Sequence, residues 1–190
     1  MPKVIDHETY KEELLLKCYD VFARRGYHGI TLRKLAGELG ISTGSLYHYF
    51  PTKQSILNEL FAFLTKQDVD SYKEILDPAA GFPKMLEVIF AFIEERETYF
   101  QDLLLLTIEY FRHDSSNDTV ATLNAAMANY RRVVVDSLKL PPSLSSMIIL
   151  FLNGLVYHRL LYPGEVDFRE QCAAFSEMIL LYCEKHDLVI

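Results

Sequence analysis

The amino-acid sequence predicts an all-α protein of about nine helices. Between its breaks the apolar residues recur at helical spacing, and no segment keeps the strict alternation of apolar and polar residues that is typical of strands. The breaks are rich in glycine, proline and small polar residues, which favour turns. They fall at Gly26, Gly40, Pro51, 77–83, 113–118, 140–143 and 162–167.

Composition places the chain among ordinary globular proteins. Half of its 190 residues are hydrophobic and 24% are charged. The first ten residues, MPKVIDHETY, lack a basic segment followed by an apolar one, which argues against secretion. Three cysteines without CxxC spacing indicate neither a disulfide framework nor a zinc site. We therefore expect a cytoplasmic protein with no metal and no cofactor.

The segment 144–162 is the strongest candidate for a membrane span. Asn153, His158 and Arg159 interrupt it. Because spanning requires about 20 predominantly apolar residues, a deeply buried helix is the better interpretation. We expect no membrane partner.

Charge divides the chain into two parts. Residues 1–66 carry 9 Lys and Arg against 7 Asp and Glu, a net charge of +2. Residues 67–190 carry 10 against 19, a net charge of −9. This asymmetry permits a polyanionic partner at the first part and disfavours one at the second. We place a DNA-binding domain at 1–66 and a ligand-binding and dimerisation domain at 67–190.

The second helix is predicted within 30–40, ITLRKLAGELG. Thr31 is a good N-cap residue, and Ile30 and Leu35 have the spacing of a hydrophobic staple. Gly40 supplies the left-handed conformation that ends a helix.

The third helix repeats the same signals over fewer residues. Ser42 caps it, and Ile41 and Leu46 form the staple. Pro51 pushes Phe50 out of helical geometry and so ends the helix. Two short helices joined at a glycine predict a helix-turn-helix, the core of an amino-terminal three-helix domain.

The third helix has two contrasting faces. At about 100° per residue, Leu46 and Phe50 point inward together, while Gly44, Ser45 and His48 lie outside. A helix that enters the major groove places its first residues on base edges, where bulk is unfavourable. This pattern favours DNA binding, with positive charge added by residues 33, 34 and 53. Helix-turn-helix shapes also occur in helical bundles that never touch DNA.

These residues resemble the TetR family of bacterial transcriptional regulators. The likeness covers residues 10–66, through VFARRGYHGIT, LRKLAGELGIS and TGSLYHYFPTK. The resemblance implies a homodimeric, mostly repressing DNA-binding protein whose variable carboxy-terminal domain binds a small molecule. By motif position, it places the DNA contacts on Thr31, Arg33, Ser42, Thr43, Gly44, Ser45, Tyr47, His48, Tyr49 and Lys53.

The last two helices differ from the others. Residues 146–161 are apolar almost all the way round, so that helix needs covering on every side. The following helix has one charged edge of three glutamates and one apolar stripe, Phe168, Cys172, Phe175, Ile179 and Tyr182. We expect the pair to pack against its counterpart in a second subunit as a four-helix seam. The alternative is a core helix within one chain.

Helices four to seven and the eighth helix supply the candidate ligand site. Their aromatic and apolar residues have the composition of a site for an apolar ligand, although an ordinary hydrophobic core has the same composition. Asn153, Tyr157 and His158 are expected either to orient a ligand or to contact the dimer partner. The candidates are Phe63, Phe92, Tyr99, Phe100, Leu103, Tyr110, Met127, Tyr130, Asn153 and Tyr157.

An enzymatic function is not expected. The chain has no GxSxG, P-loop, HExxH or dinucleotide-binding glycine pattern, and Cys18 lies on an amphipathic helix as a structural residue. We predict a repressor released from an inverted-repeat operator by a small, largely apolar ligand that tilts the fourth helix. The alternative is a ligand-sequestering or protein-interaction module with a non-functional DNA-binding head.

Overall fold

The computed structural model describes residues 6–77 and 79–188. These residues form nine α-helices and no strand, which confirms the predicted fold class. The helices are α1 His7–Arg25, α2 Leu32–Glu38, α3 Thr43–Tyr49, α4 Lys53–Ile75, α5 Phe82–Glu95, α6 Glu97–His113, α7 Asn117–Leu138, α8 Pro142–Leu161 and α9 Phe168–Lys185.

The helices form two compact units. The first contains the described residues of Met1–Gln67 together with Leu105–Ala126, and the second contains those of Asp68–Leu104 and Met127–Ile190. The boundary within α4 lies one residue beyond the predicted domain boundary at 66. The segment 105–126, which the sequence analysis assigned to the carboxy-terminal domain, belongs to the first unit.

Tyr110 of α6 is buried in the first unit. Its side chain has no exposed surface, and its ring contacts those of Tyr27 and Phe61, with centroids 5.7 and 6.0 Å away. Its hydroxyl donates to Oδ1 of Asn58 on α4 at 2.7 Å. The end of α6 is therefore part of the same core as the helices of the amino-terminal domain.

The second unit has its own hydrophobic core. Phe151 of α8 stacks on Phe175 of α9 at 4.0 Å, and the edge of Phe90 of α5 meets both rings. Arg159 at the end of α8 makes a two-pronged ion pair with Glu97 at the start of α6, at 2.6 and 3.0 Å. These contacts fix α5, α6, α8 and α9 against one another within the unit.

The buried stripe of α9 differs from the predicted stripe at its last residue. Tyr182 is 46% exposed, whereas Cys183 is fully buried. From Ile179, residue 182 departs by about 60° around the helix and residue 183 by about 40°, because successive residues turn by about 100°. Cys183 therefore continues the stripe that is buried within the chain, and Tyr182 lies on its exposed side.

Helix α8 is long and apolar enough to cross a membrane by length and composition alone. About a third of its most apolar window is buried within the chain. One such helix is weak evidence for a membrane span, because the core helices of globular proteins have the same composition. Its unburied part includes four large apolar side chains, Met147, Leu150, Tyr157 and Leu161.

Candidate nucleic-acid interface

Side-chain caps and one glycine define the turn between α2 and α3. The Thr31 hydroxyl accepts from the backbone N–H of Lys34 at 3.3 Å and begins α2. Gly40 has a φ of +69°, in the left-handed region that favours glycine. The Ser42 hydroxyl accepts from the backbone N–H of Ser45 at 3.0 Å and begins α3. The predicted capping residues therefore set the relative direction of these two packed helices.

The inner face of α3 anchors the helix. Leu46 is 1% exposed and Phe50 is fully buried, as predicted from the helical period. The opposite face is open, since Gly44, Ser45 and His48 are exposed. The first turn of α3 thus presents a narrow surface of small groups to its surroundings.

The packing of this fold does not require a glycine at position 44. An added Cβ would meet Ser42 Oγ at 3.8 Å as its nearest neighbour, which is an ordinary van der Waals contact. Glycine within a helix costs about 0.5–1 kcal/mol relative to alanine. Since the chain itself leaves room for a methyl group, an external partner that approaches the backbone closely would explain the glycine.

The two tyrosines of α3 lie in different surroundings. Tyr47 is half exposed, and its hydroxyl has no partner among the residues that the structure describes. The Tyr49 hydroxyl forms a hydrogen bond with Nδ1 of His7, 3.1 Å away, and its ring lies 5.5 Å from that of Tyr10. Tyr49 is therefore held against α1, whereas Tyr47 remains available to a partner.

Lys53 makes more contacts within the chain than the sequence suggests. Its ammonium donates to the carbonyl oxygens of Tyr27 and Ile30, at 2.7 and 2.9 Å, and lies 4.1 Å from the ring centre of Tyr27. Burial lowers the pKa of Lys53, and the nearby Glu109 carboxylate opposes that shift. Two of its three N–H donors close the loop between α1 and α2, which leaves one for a phosphate.

Arg33 and Lys34 are two exposed cations of the same region. Both lie in the first turn of α2. Their charge is on the solvent side, where it would attract a polyanion.

Glu109 on α6 is a residue of this region that the sequence analysis missed. Its carboxylate accepts from the backbone N–H groups of Tyr27 and His28, at 2.8 and 2.7 Å. The ring of His28 also stacks on that of His113, with centroids 3.7 Å apart. The end of α6 thus fixes the loop that precedes α2. No sequence pattern connects Glu109 with a loop about 80 residues away.

The residues predicted to bind a ligand lie in several environments. Tyr110 and the half-buried Phe63 belong to the first unit, whereas Asn153 and Tyr157 lie on the exposed side of α8. Met127 is 42% exposed. Phe92 is buried, and Phe100 and Leu103 are half-buried.

Tyr99 and Tyr130, which are also half-buried, are brought together by the fold. Both donate their hydroxyl groups to Asp68, a residue that the sequence analysis did not single out.

The cysteines are buried and unpaired. Burial raises the pKa of the Cys18 thiol to about 12, so the thiol stays protonated, as suits a structural residue. Cys172 and Cys183 are also free. Within 6–77 and 79–188, no three His, Cys, Asp or Glu residues are grouped to hold a metal ion.

Comparison with known proteins connects this interface with transcriptional regulators. Residues 11–60 match the family described as bacterial regulatory proteins, tetR family. The chain is 25% identical over 180 residues to the HTH-type transcriptional regulator PksA of Bacillus subtilis, covering 88% of this chain and 86% of PksA. It is 34% identical over 80 residues to the HTH-type transcriptional repressor KstR2 of Mycolicibacterium smegmatis, covering 42% of this chain and 39% of KstR2.

Solved structures share the fold over most of the chain. The crystal structure of the transcriptional regulator FadR of Bacillus subtilis in complex with stearoyl-CoA superposes with a TM-score of 0.72. The two chains are 19% identical, and the match covers 89% of this chain and 96% of FadR. At 19% identity, this similarity shows that the two proteins share the arrangement of their helices.

Proposed function

Because the chain belongs to the TetR family of bacterial regulatory proteins, we propose that it is a sequence-specific DNA-binding repressor whose operator affinity is set by a small ligand. The observation that carries the proposal is the outward face of α3. That face has small groups and an otherwise unexplained Gly44 at its start, and a free tyrosine hydroxyl farther along. These features suit a helix whose amino-terminal turn enters the major groove.

The remaining contacts have distinct roles in this proposal. Arg33 and the hydroxyl of Tyr47 bind phosphates beside the groove, whereas Ser45 and His48 face base edges. Thr31 and Ser42 act mainly as caps, since their hydroxyl groups already accept backbone N–H groups. Lys53 positions the loop before α2 and adds charge.

The protein acts as a homodimer in this proposal. The outer faces of α8 and α9 carry large exposed apolar side chains, including Leu150 at 69%, Met178 at 66% and Leu181 at 57%. Packed against a second copy, these faces would form a four-helix seam. A dimer would present two α3 helices to successive major grooves, about 34–36 Å apart, and would bind an inverted repeat.

Ligand control would act through helices that belong to both units. Helices α4, α6 and α7 each contribute residues to the two units. In the first unit, α4 follows α3 directly, and Glu109 of α6 holds the loop before α2. A ligand that displaces these helices would therefore move the DNA-binding surface. A coupling of about 1–3 kcal/mol, or about 5 to 150-fold in affinity, would suffice.

A gel shift at two salt concentrations, on the DNA that flanks the protein's own gene, tests the function. We expect a specific complex on an inverted repeat that weakens as salt rises, because Arg33 and other cations release counterions from phosphates. Replacing Arg33 with methionine should reduce the salt slope by about 1. Absence of a specific complex at low salt would leave the ligand-sequestering or protein-interaction module as the better explanation.

A further inference from the structure

Within the second unit, residues from three helices converge on one buried carboxylate. Asp68 of α4 is 6% exposed. The hydroxyl of Tyr99 on α6 donates to its Oδ2 at 2.9 Å, and the hydroxyl of Tyr130 on α7 donates to the same oxygen at 2.5 Å. The structure thus orients this carboxylate from two sides.

The carboxylate has no ion-pair partner among the described residues. Within the described part of the chain, no lysine, arginine or histidine nitrogen lies within 4.0 Å of Asp68. Arg96 attracts it from a longer distance, and the Arg96 guanidinium lies 4.1 Å from the ring centre of Phe92. Buried carboxylates are rare unless they are paired, because burial removes the water that stabilises their charge. The same burial raises the pKa of Asp68.

The second carboxylate oxygen is available. Both phenols donate to Oδ2, and no other described residue donates to Oδ1. Oδ1 is also not among the fully enclosed polar atoms that lack a partner, so it keeps some accessible surface. Oδ1 is therefore the oxygen of this carboxylate that is left for a further N–H donor.

A series of neighbouring aromatic rings begins at Tyr99, which donates to this carboxylate. The ring of Tyr99 meets that of Phe100 edge to face at 5.0 Å, and Phe100 lies 6.2 Å from Phe92. Such rings offer apolar surface and a negative face that attracts cations. The net charge of −9 over residues 67–190 acts in the same direction over longer distances.

We propose that Asp68, Tyr99 and Tyr130 form the recognition point for an organic cation, an effector with an ammonium group on an apolar body. The ammonium would donate to Oδ1 and neutralise the carboxylate, while the apolar body would contact the neighbouring aromatic side chains. This inference rests on the proposed function, in which the second unit binds the effector. According to this inference, charge selects among ligands whose apolar parts have the same size.

Three probes with one apolar body and different head groups test this selection. They are 4-phenylbutylamine, 4-phenylbutan-1-ol and 4-phenylbutanoate, each added to the full-length protein at equal concentration and ionic strength. Ligands that bind the folded state raise the melting temperature. We expect the amine to raise it by at least about 2 °C more than the alcohol, and the carboxylate to have the smallest effect.

Two variants on α4 attribute the effect to one carboxylate. Asp68→Asn keeps an oxygen acceptor for the phenols and removes the charge, so the advantage of the amine over the alcohol should disappear. Asp70→Asn removes the same charge from an exposed position on the same helix and should keep that advantage. Melting of each variant without a probe reports its folding. The series on the wild-type protein remains decisive if Asp68→Asn does not fold.

The proposal would be overturned by equal shifts with the amine and the alcohol, by no shift with any probe, or by an amine shift that survives Asp68→Asn. Gel shifts on the same protein without a probe separate this inference from the proposed function. Loss of specific DNA binding would refute the regulator itself. Specific DNA binding together with equal amine and alcohol shifts would refute only the recognition of a cation.

Discussion

The outward face of α3 and the outward faces of α8 and α9 are both exposed, but their chemistry is opposite. The first turn of α3 presents glycine and hydroxyl groups. Helices α8 and α9 present methionine, leucine and tyrosine side chains that are 46–69% exposed. A polar surface costs little in water and becomes useful when a polyanion approaches. A large apolar surface in water is unfavourable, so it indicates a partner that covers it.

This difference separates two kinds of evidence for a partner. At α8 and α9 the evidence is an excess of apolar side chains that the described chain does not cover. At α3 the evidence is a missing side chain, because Gly44 leaves space that the fold does not use. The exposed apolar side chains predict the effect of adding charge to α8 or α9. The space beside Gly44 predicts the effect of adding bulk to α3.

The largest effect is expected from charge on α8. Leu150→Glu places a carboxylate at the most exposed of the large apolar side chains in the described chain and should leave the fold of the single chain intact. Loss of the proposed dimer would remove the second DNA-binding surface and lower operator affinity by about 10²–10⁴-fold. Analytical ultracentrifugation and operator titration measure the two effects.

Ile75→Glu is the matched control for that substitution. Ile75 is 51% exposed at the end of α4, away from the α8 and α9 surface in sequence. It should leave both the dimer and operator affinity unchanged. A Leu150→Glu protein that remains dimeric would show that the apolar face of α8 is not the seam.

An intermediate effect is expected from one methyl group on α3. Gly44→Ala should stabilise the helix slightly, yet lower operator affinity at least about tenfold, equivalent to about 1.4 kcal/mol, because its Cβ would separate the backbone from DNA. Thermal melting and titration of the operator follow the two changes.

Gly37→Ala provides the comparison on α2. An added Cβ at Gly37 would meet nothing within 4 Å. It should give the same small gain in stability without loss of DNA binding. Wild-type operator affinity for Gly44→Ala would mean that α3 does not approach DNA through this turn.

The smallest effect is expected from single hydroxyl groups. Tyr47→Phe should remove one hydrogen bond to a phosphate and weaken operator binding about fivefold, corresponding to about 1 kcal/mol. The salt slope should not change, because no charge is removed. Tyr49→Phe should weaken binding less, since that hydroxyl is already bonded to His7. Titration at several salt concentrations distinguishes the two, and a larger loss with Tyr49→Phe would reverse the assignment.

Much of the fold and of the α3 surface could be predicted from the sequence because their signals are local. Thr31 and Ser42 cap helices as expected, Gly40 adopts the left-handed conformation, and Leu46 and Phe50 are buried on one side of α3. Each of these features depends on residues within about one turn of each other. On α9 the period alone does not separate Tyr182, which is exposed, from Cys183, which is buried, because the two positions lie on either side of the inward direction.

The sequence by itself determined where most helices begin and end and which side of α3 faces inward, since capping and periodicity act over three or four residues. Only the tertiary structure decided that Glu109 holds the loop at Tyr27 and His28, and that Tyr99 and Tyr130 meet at Asp68. These partners lie 31 to 82 residues apart. These contacts depend on how whole helices pack, which cannot be predicted from the spacing of residues along the chain.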